Sequence, residues 1–269
     1  LFLPFVFAAS LARASLVFYM SFEDADGKRT LFDRISPTFR CHYTGQFPRP
    51  GYGTFTDEAA PVANNPFARD LINSQPETYR VGPGLVMTPK TSYFPMTNTG
   101  ARVTMAMWIY LYPDEEVRSL SARGLASAQN PEQTLGLAWF VDPADQNAMK
   151  FSFWSQPHGD LVTVTSSTQI PLTNWTHVAL SWEAGVADSL KMYVNGTSVP
   201  VSASPAATAL CDPPTCHLHF GVIDAASLGP LNGRIDEICM YDEILPPHEI
   251  AALTQGVVIP TTFYVATNG

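Results

Sequence analysis

Carboxylates near the C-terminal end of the chain come nearest to a catalytic pair. Asp236 and Glu237 are adjacent, and Asp242 and Glu243 follow them. Glycoside hydrolysis uses two carboxyl groups that face the same scissile bond. Two such groups on one strand must lie two residues apart, because neighbouring residues point to opposite faces. The spacing therefore disfavours a glycoside hydrolase.

Motifs of other enzyme classes are missing from the sequence. It has no Gly-x-Ser-x-Gly or His-Glu-x-x-His pattern, no P-loop and no Gly-x-Gly-x-x-Gly pattern. The formal net charge is −9, and the longest basic run is Lys28-Arg29. Nucleic-acid surfaces depend on clustered lysine and arginine. We therefore expect neither an enzyme nor a nucleic-acid partner.

Four cysteines could form two disulfide bonds. Cys211 and Cys216 close a short loop whose two prolines bend the chain, which predicts a local disulfide between them. By elimination, Cys41 and Cys239 form the second bridge. The alternative is a pair of buried free thiols. A zinc site at the Cys211 and Cys216 spacing is disfavoured, because no second Cys or His pair stands at zinc spacing.

The N-terminal segment is predicted to be a secretory signal peptide. Residues 1–11 are apolar and are followed by Ala12-Arg13-Ala14, a pattern that favours cleavage after Ala14. The alternative is an N-terminal hydrophobic arm that persists and associates with a membrane or packs on the fold. Residues 257–269 are predicted to be a C-terminal tail or linker. The sequence thus indicates a secreted or cell-surface protein.

Two sequons agree with a secretory route. Asn174-Trp175-Thr176 and Asn195-Gly196-Thr197 are acceptor patterns for N-linked glycans. Both asparagines are predicted at strand ends, where a glycan can be accommodated. Asn195 is the stronger candidate because it lies in a turn.

Residues 174–196 form the clearest structural element, a predicted β-hairpin. Its first strand alternates apolar and small residues between Val178 and Trp182, which predicts one buried face. Met192 repeats that parity in the second strand. The Asn195-Gly196 pair suits a type I′ turn, because both residue types tolerate positive φ.

Other alternating segments predict an all-β domain of short strands joined by turns. The predicted strands are residues 16–22, 103–110, 134–141, 149–154, 161–166, 218–222 and 233–241, and residues 31–43 are predicted to contain a further strand that ends near Cys41. Residues 246–253 are predicted to form one helix that begins at two prolines. Residues 44–84 are rich in Pro, Gly and polar residues, and are predicted to form an irregular insertion with a short helix near residues 66–73.

Three motifs in sequence order resemble the laminin-G-like, concanavalin A-like jelly-roll domains. The strand Trp175-x-His177-Val178-Ala179-x-x-Trp182 is similar to the central signature of that family. The block Gly233-Arg234-Ile235-Asp236-Glu237-Ile238 is similar to its closing strand, and residues 16–22 to its opening strand. The resemblance covers roughly residues 15–256. It implies an all-β, two-sheet antiparallel jelly-roll sandwich with one short C-terminal helix.

The resemblance also implies a calcium site at the rim of the sandwich. Glu23 and Asp26 lie in the turn after the first strand, and Asp236 lies near the start of the closing strand. These three would meet if the first and last strands are neighbours. Calcium prefers oxygen ligands such as these carboxylates. The alternative is that Asp236 accepts hydrogen bonds from loop backbone.

The function implied by the resemblance is non-catalytic recognition of a glycan or a protein outside the cell. A sugar platform would use exposed aromatic residues beside polar groups, and the alternative for each aromatic residue is core packing. The platform candidates are Trp139, Trp154, Tyr93 and Tyr112, while Trp108, Trp175 and Trp182 are predicted to lie in the core.

A second hypothesis is a structural accessory subunit of a larger extracellular assembly. In that case residues 1–14, the insertion at residues 44–84 and the C-terminal tail would dock onto other subunits. The jelly roll serves many functions, so the sequence alone does not identify the ligand.

Overall fold

The computed structural model describes most of the chain between residues 100 and 256, with shorter pieces before it. The described residues are 16–22, 41–43, 54–63, 65, 68–71, 85–87, 100–113, 122–129, 136–156, 160–209, 217–225 and 228–256. Among these residues no helix is long and apolar enough to cross a lipid bilayer.

Eighteen strands and one α-helix make up the described part of the chain. In chain order they are β1 (Leu16–Met20), β2 (Cys41–Tyr43), β3 (Thr54–Thr56), β4 (Ala68–Leu71), β5 (Leu85–Met87), β6 (Arg102–Leu111), β7 (Arg123–Gln129), β8 (Gly136–Asp142), β9 (Ala148–Gln156), β10 (Leu161–Gln169), β11 (Trp175–Glu183), β12 (Lys191–Val194), β13 (Thr197–Val199), β14 (Thr208–Ala209), β15 (His217–Phe220), β16 (Val222–Ala225), β17 (Leu228–Pro230), β18 (Gly233–Tyr241) and α1 (Pro247–Leu253). A 3₁₀ turn, Pro143–Asp145, joins β8 to β9.

The strands form two sheets. The eight-stranded sheet has the order β13-β12-β11-β6-β18-β4-β3, with β1 also paired to β18. The ten-stranded sheet has the order β10-β9-β8-β7-β15-β5-β2, with β14 beside β9 and the β16–β17 pair beside β7. Its pairs are antiparallel except for a short β7–β17 contact. This arrangement confirms the predicted two-sheet antiparallel jelly-roll sandwich, including the pairing of first and last strands.

The core lies between the two sheets. The inward-facing residues of β6 and β11 are fully or almost fully buried, as the alternation predicts. Trp182 of the eight-stranded sheet contacts two rings of β9, with centroid distances of 5.3 Å to Phe151 and 4.7 Å to Phe153. Phe18 stacks on Phe220 across the same interface at 5.3 Å. These aromatic contacts join the sheets face to face.

The predicted hairpin turn is confirmed. Asn195 has φ 49° and Gly196 has φ 76°, as a type I′ turn requires. A Cβ atom at Gly196 would lie 2.9 Å from the Cα atom of Ala251 in α1. The glycine is therefore needed both for its backbone conformation and for the close approach of the helix.

The helix α1 covers part of the outer face of the eight-stranded sheet, the face turned away from the ten-stranded sheet. Leu245, Ile250 and Leu253 pack there with outward-facing residues of the sheet. Cys239 belongs to this cluster and is a free, buried thiol. The predicted bridge between Cys41 and Cys239 is therefore wrong. Cys41 lies in β2 of the ten-stranded sheet, whereas Cys239 lies in β18 of the eight-stranded sheet.

The insertion at residues 44–84 contains regular structure. Strands β3 and β4 pair with each other, and β4 extends the eight-stranded sheet at the edge of β18. The short helix predicted near residues 66–73 is wrong, because Ala68–Leu71 is a strand. A helix of so few residues is unstable by itself, whereas β18 offers a ready ladder of hydrogen bonds.

Several sequence predictions lie outside the described residues. They concern the signal peptide or arm, the tail at residues 257–269, the calcium candidates Glu23 and Asp26, the disulfide candidates Cys211 and Cys216, and Tyr93.

Candidate functional site

An aromatic–arginine patch lies on the outer face of the eight-stranded sheet, and consists of Tyr110, Tyr112, Trp175 and Arg234. The strand register places Trp175 of β11 and Arg234 of β18 on either side of Tyr110 in β6. The Tyr110 ring meets Trp175 edge-on at 5.8 Å and Tyr112 edge-on at 5.7 Å. All four residues are half-buried, so each contributes some accessible surface.

Arg234 supplies the charge of the patch. Its Cζ atom lies 4.8 Å from the Tyr110 ring centroid and 5.4 Å from that of Tyr112. Its Nε donates a hydrogen bond of 2.8 Å to the Tyr112 hydroxyl oxygen. Its guanidinium also forms an ion pair with Glu58. Burial lowers the pKa of Arg234, but Tyr112 and Glu58 more than offset this effect, so its pKa is raised. The guanidinium is thus a fixed cation.

Glu58 reaches the patch from the loop of residues 57–65, called here the 57–65 loop. The Glu58 side chain is 69% exposed, whereas that of Arg234 is 13% exposed. The patch therefore has a solvent-facing carboxylate beside a largely buried guanidinium and three aromatic rings.

Asp236 holds the 57–65 loop on the sheet. Its carboxylate is fully buried, and Oδ2 accepts hydrogen bonds from Ala60 N at 2.9 Å and from Asn65 Nδ2 at 2.8 Å. The other carboxylate oxygen, Oδ1, accepts a hydrogen bond from Glu237 N at 2.9 Å. This geometry agrees with the alternative in which Asp236 bonds loop backbone. N–H donors on both oxygens make it a poor fit to a cation, and the described residues contain no group of three metal-ligating side chains.

The adjacent carboxylates Asp236 and Glu237 lie on the same side of β18, which corrects the expectation of opposite faces. Ile235 and Ile238 both point into the core, so the two residues between them face outward. The register of β18 shifts between Asp236 and Cys239, and Glu237 has φ 49°. These two features mark a β-bulge. Glu237 accepts a 2.6 Å hydrogen bond from the Tyr19 hydroxyl. Both carboxylates therefore make structural contacts.

Comparison with known proteins identifies the family. The sequence profile described as the concanavalin A-like lectin/glucanases superfamily matches residues 86–251. The chain belongs to this superfamily. No curated protein sequence matches the chain.

Solved structures show the same fold at low identity. Domain 4 of AbnA, a GH43 extracellular arabinanase from Geobacillus stearothermophilus in complex with arabinotriose, aligns with 90% of this chain and 99% of its own, at 17% identity and TM-score 0.55. The binding domain of Paraclostridial Mosquitocidal Protein 1 aligns with 90% of this chain at 14% identity and TM-score 0.56. The botulinum neurotoxin serotype G binding domain aligns with 89% at 10% identity and TM-score 0.58. This chain spans about half of each toxin domain, 52% and 50%.

The structure places the predicted platform residues in different environments. Trp139 is fully buried in the core, so it is not a platform residue. Trp154 is half-buried on β9 of the other sheet, and Tyr112 lies in the patch. Trp175 was expected in the core but is half-buried on the outer face. The sequence signal for the patch was the position of Tyr110, which alternates with the core-facing residues of its strand.

His177 lies on the outer face one row from Trp175, and it is buried. Its ring meets Trp108 edge-on at 5.5 Å. Burial lowers the pKa of His177 to about 4, so the imidazole is neutral at pH 7. Among the described residues its Nδ1 has no hydrogen-bond partner. His177 is therefore a buried scaffold residue in the row next to the patch.

Both sequon asparagines are exposed, and they differ in hydrogen bonding. The Oδ1 of Asn195 accepts a 3.0 Å hydrogen bond from His177 N. The Nδ2 of Asn174, the atom to which a glycan would be attached, donates to Leu172 O at 3.0 Å. Glycosylation of either residue stays a prediction. A glycan on Asn174 would stand beside Trp175 of the patch.

Proposed function

We propose that this chain is a non-catalytic recognition domain that binds an oligosaccharide at the aromatic–arginine patch. The observation that carries the proposal is the row of partly exposed rings beside a charged pair on one sheet face. The C–H face of a sugar ring packs on aromatic rings, while its hydroxyl groups bond to charged side chains. Binding sites commonly combine aromatic surface with a few placed polar groups in this way.

The family supports this proposal in general terms, since the superfamily contains lectins as well as glucanases. The structural likeness supports the fold alone. One of the similar structures is a complex with arabinotriose, which makes arabinotriose a reasonable first probe for this chain.

We further propose a secreted or cell-surface location, supported by the apolar N-terminal segment and the two sequons. Calcium binding by Glu23 and Asp26 remains a proposal, and Asp236 is a poor third ligand because its oxygens accept N–H groups. The structural-subunit alternative depends mainly on segments outside the described residues. Size-exclusion chromatography that shows only large assemblies, without glycan binding, would favour it.

The test is binding to a glycan array that includes arabinotriose, followed by calorimetry on the oligosaccharides retained. Trp175→Ala should weaken binding by about tenfold or more, because loss of one stacked ring costs on the order of 1.4 kcal/mol. Trp154→Ala is the matched control, since Trp154 is a half-buried Trp on the other sheet.

Equal binding by wild type and Trp175→Ala would contradict the patch, and a selective loss in Trp154→Ala would move the site to the ten-stranded sheet. Release of reducing sugar from a β-glucan by the purified chain would contradict the non-catalytic part of the proposal.

A further inference from the structure

We propose that Glu58 restricts the aromatic–arginine patch to uncharged saccharides by occupying the guanidinium of Arg234. This inference rests on the proposed function, because it assigns the ligand class of the same patch. Glu58 would be a specificity-determining residue, and its removal would open the patch to anionic sugars.

The charges in the patch oppose the binding of an anionic sugar. Arg234 is the cation within the patch, and its charge is already paired with Glu58. A sugar carboxylate bound to this guanidinium would either displace Glu58 or stand beside its negative charge. Like charges placed together across an interface oppose binding, and such repulsion is a common source of specificity. The formal net charge of −9 adds to this effect.

The same carboxylate offers hydrogen-bond acceptors to a neutral sugar. The Glu58 side chain is 69% exposed. Its oxygens can accept hydrogen bonds from sugar hydroxyls while the ion pair stays in place. The ring surfaces of Tyr110, Tyr112 and Trp175 require no charge on the ligand. A neutral saccharide therefore uses both parts of the patch without breaking a contact.

Glu58 is held in place before any ligand binds. The 57–65 loop is fastened at Ala60 and Asn65 by the buried carboxylate of Asp236. Val62 also packs closely against Gly256, where a Cβ atom would collide with it. A residue on a loop that is anchored at several points loses little conformational entropy when a ligand binds. The carboxylate is thus a standing element of the site.

The test uses a matched pair of probes, trigalacturonate and its methyl ester, which differ in charge. Binding of each is measured by calorimetry at low salt with wild type, Glu58→Gln and Asp160→Asn. Asp160 is exposed and distant in sequence, on the edge of the ten-stranded sheet, so its variant removes one negative charge away from the patch. Thermal unfolding checks that each variant is folded.

We expect wild type and Asp160→Asn to bind the ester at least about tenfold more tightly than the acid. In Glu58→Gln the affinity for trigalacturonate should rise by about tenfold, with little change for the ester. An unchanged acid affinity in Glu58→Gln, or a wild-type preference for the acid, would overturn the inference.

The two proposals fail in different ways. If wild type binds no neutral saccharide, the proposed function is wrong. The inference about Glu58 then falls with it, whereas wild-type binding of the ester without a gain of trigalacturonate affinity in Glu58→Gln refutes the inference alone.

Discussion

His177 should make the domain less stable in acid, and the size of the effect follows from its burial. Its pKa is lowered to about 4, from an ordinary value of 6.5, because burial disfavours the imidazolium. One pKa unit corresponds to about 1.4 kcal/mol. The shift therefore corresponds to about 3 kcal/mol of folding stability.

The sign follows from proton counting. Below pH 6.5 the unfolded chain protonates His177, whereas the folded chain resists protonation until the pH nears 4. The unfolded state then binds more protons, so the free energy of unfolding falls as the pH falls. The loss begins near pH 6.5 and is complete near pH 4. Above pH 6.5 the lowered pKa of His177 does not change the free energy of unfolding.

The assay is urea unfolding of wild type and His177→Phe at several pH values between 7.5 and 4. Phenylalanine keeps a ring of similar size against Trp108 but does not titrate. Carboxylates titrate over part of this range in both proteins, so the difference between the two stability curves isolates the imidazole. That difference should change by about 3 kcal/mol in favour of His177→Phe as the pH falls. Parallel curves would refute the argument that burial keeps His177 neutral.

Three further predictions concern the scaffold of the site. Asp236→Asn should cost about 2 kcal/mol or more in urea unfolding and speed hydrogen exchange at Ala60, because an amide cannot accept hydrogen bonds on both atoms; unchanged exchange would contradict this anchoring role. Gly233→Ala should lower the melting temperature, with a cost of about 1–3 kcal/mol, because its Cβ atom meets the Tyr110 carbonyl of β6. Gly196→Ala should cost about 1–2 kcal/mol from its φ of 76° alone, and an equal melting temperature would contradict that strain.

The sequence predicted the strands whose apolar alternation is long and regular. Strands β6 and β11 place every second residue in the core between the sheets, and the predicted bounds of β18 agree with the structure. The Asn195-Gly196 turn was predictable because its conformation depends on two adjacent residue types. Such local signals require no knowledge of distant partners.

Features that depend on distant pairing were not predictable. Strands β3 and β4 are short, and they form because β18 presents an edge at Gly233 to Ile235. The bulge at Glu237 placed two neighbouring carboxylates on one side, which strict alternation excludes. Cys41 was paired with Cys239 only because the other two cysteines were already assigned to each other. That reasoning does not show which sheet contains each residue.

The candidate site shows the same division. The sequence showed that Tyr110 alternates with the core-facing residues of its strand, but Trp175 was assigned to the core by strand parity and by its match to the family motif. The row that joins Trp175, Tyr110 and Arg234 depends on the register of three strands that are far apart in sequence. The contact of Glu58 with Arg234 further depends on the loop anchored at Asp236. None of these alignments follows from local propensity.

Helix α1 and the 57–65 loop cover parts of the outer face of the eight-stranded sheet, and the patch lies at the margin of this covering. Helix α1 seals one region over the cluster that contains Cys239, and Gly196 allows its close approach. The 57–65 loop lies over Asp236. Both coverings bury polar or reactive groups that would otherwise be accessible. The rings beside Arg234 are half-exposed at the margin of the loop, which also contributes Glu58. The loop that hides one carboxylate therefore presents another, so the proposed recognition at the patch depends on the anchoring of this loop by Asp236.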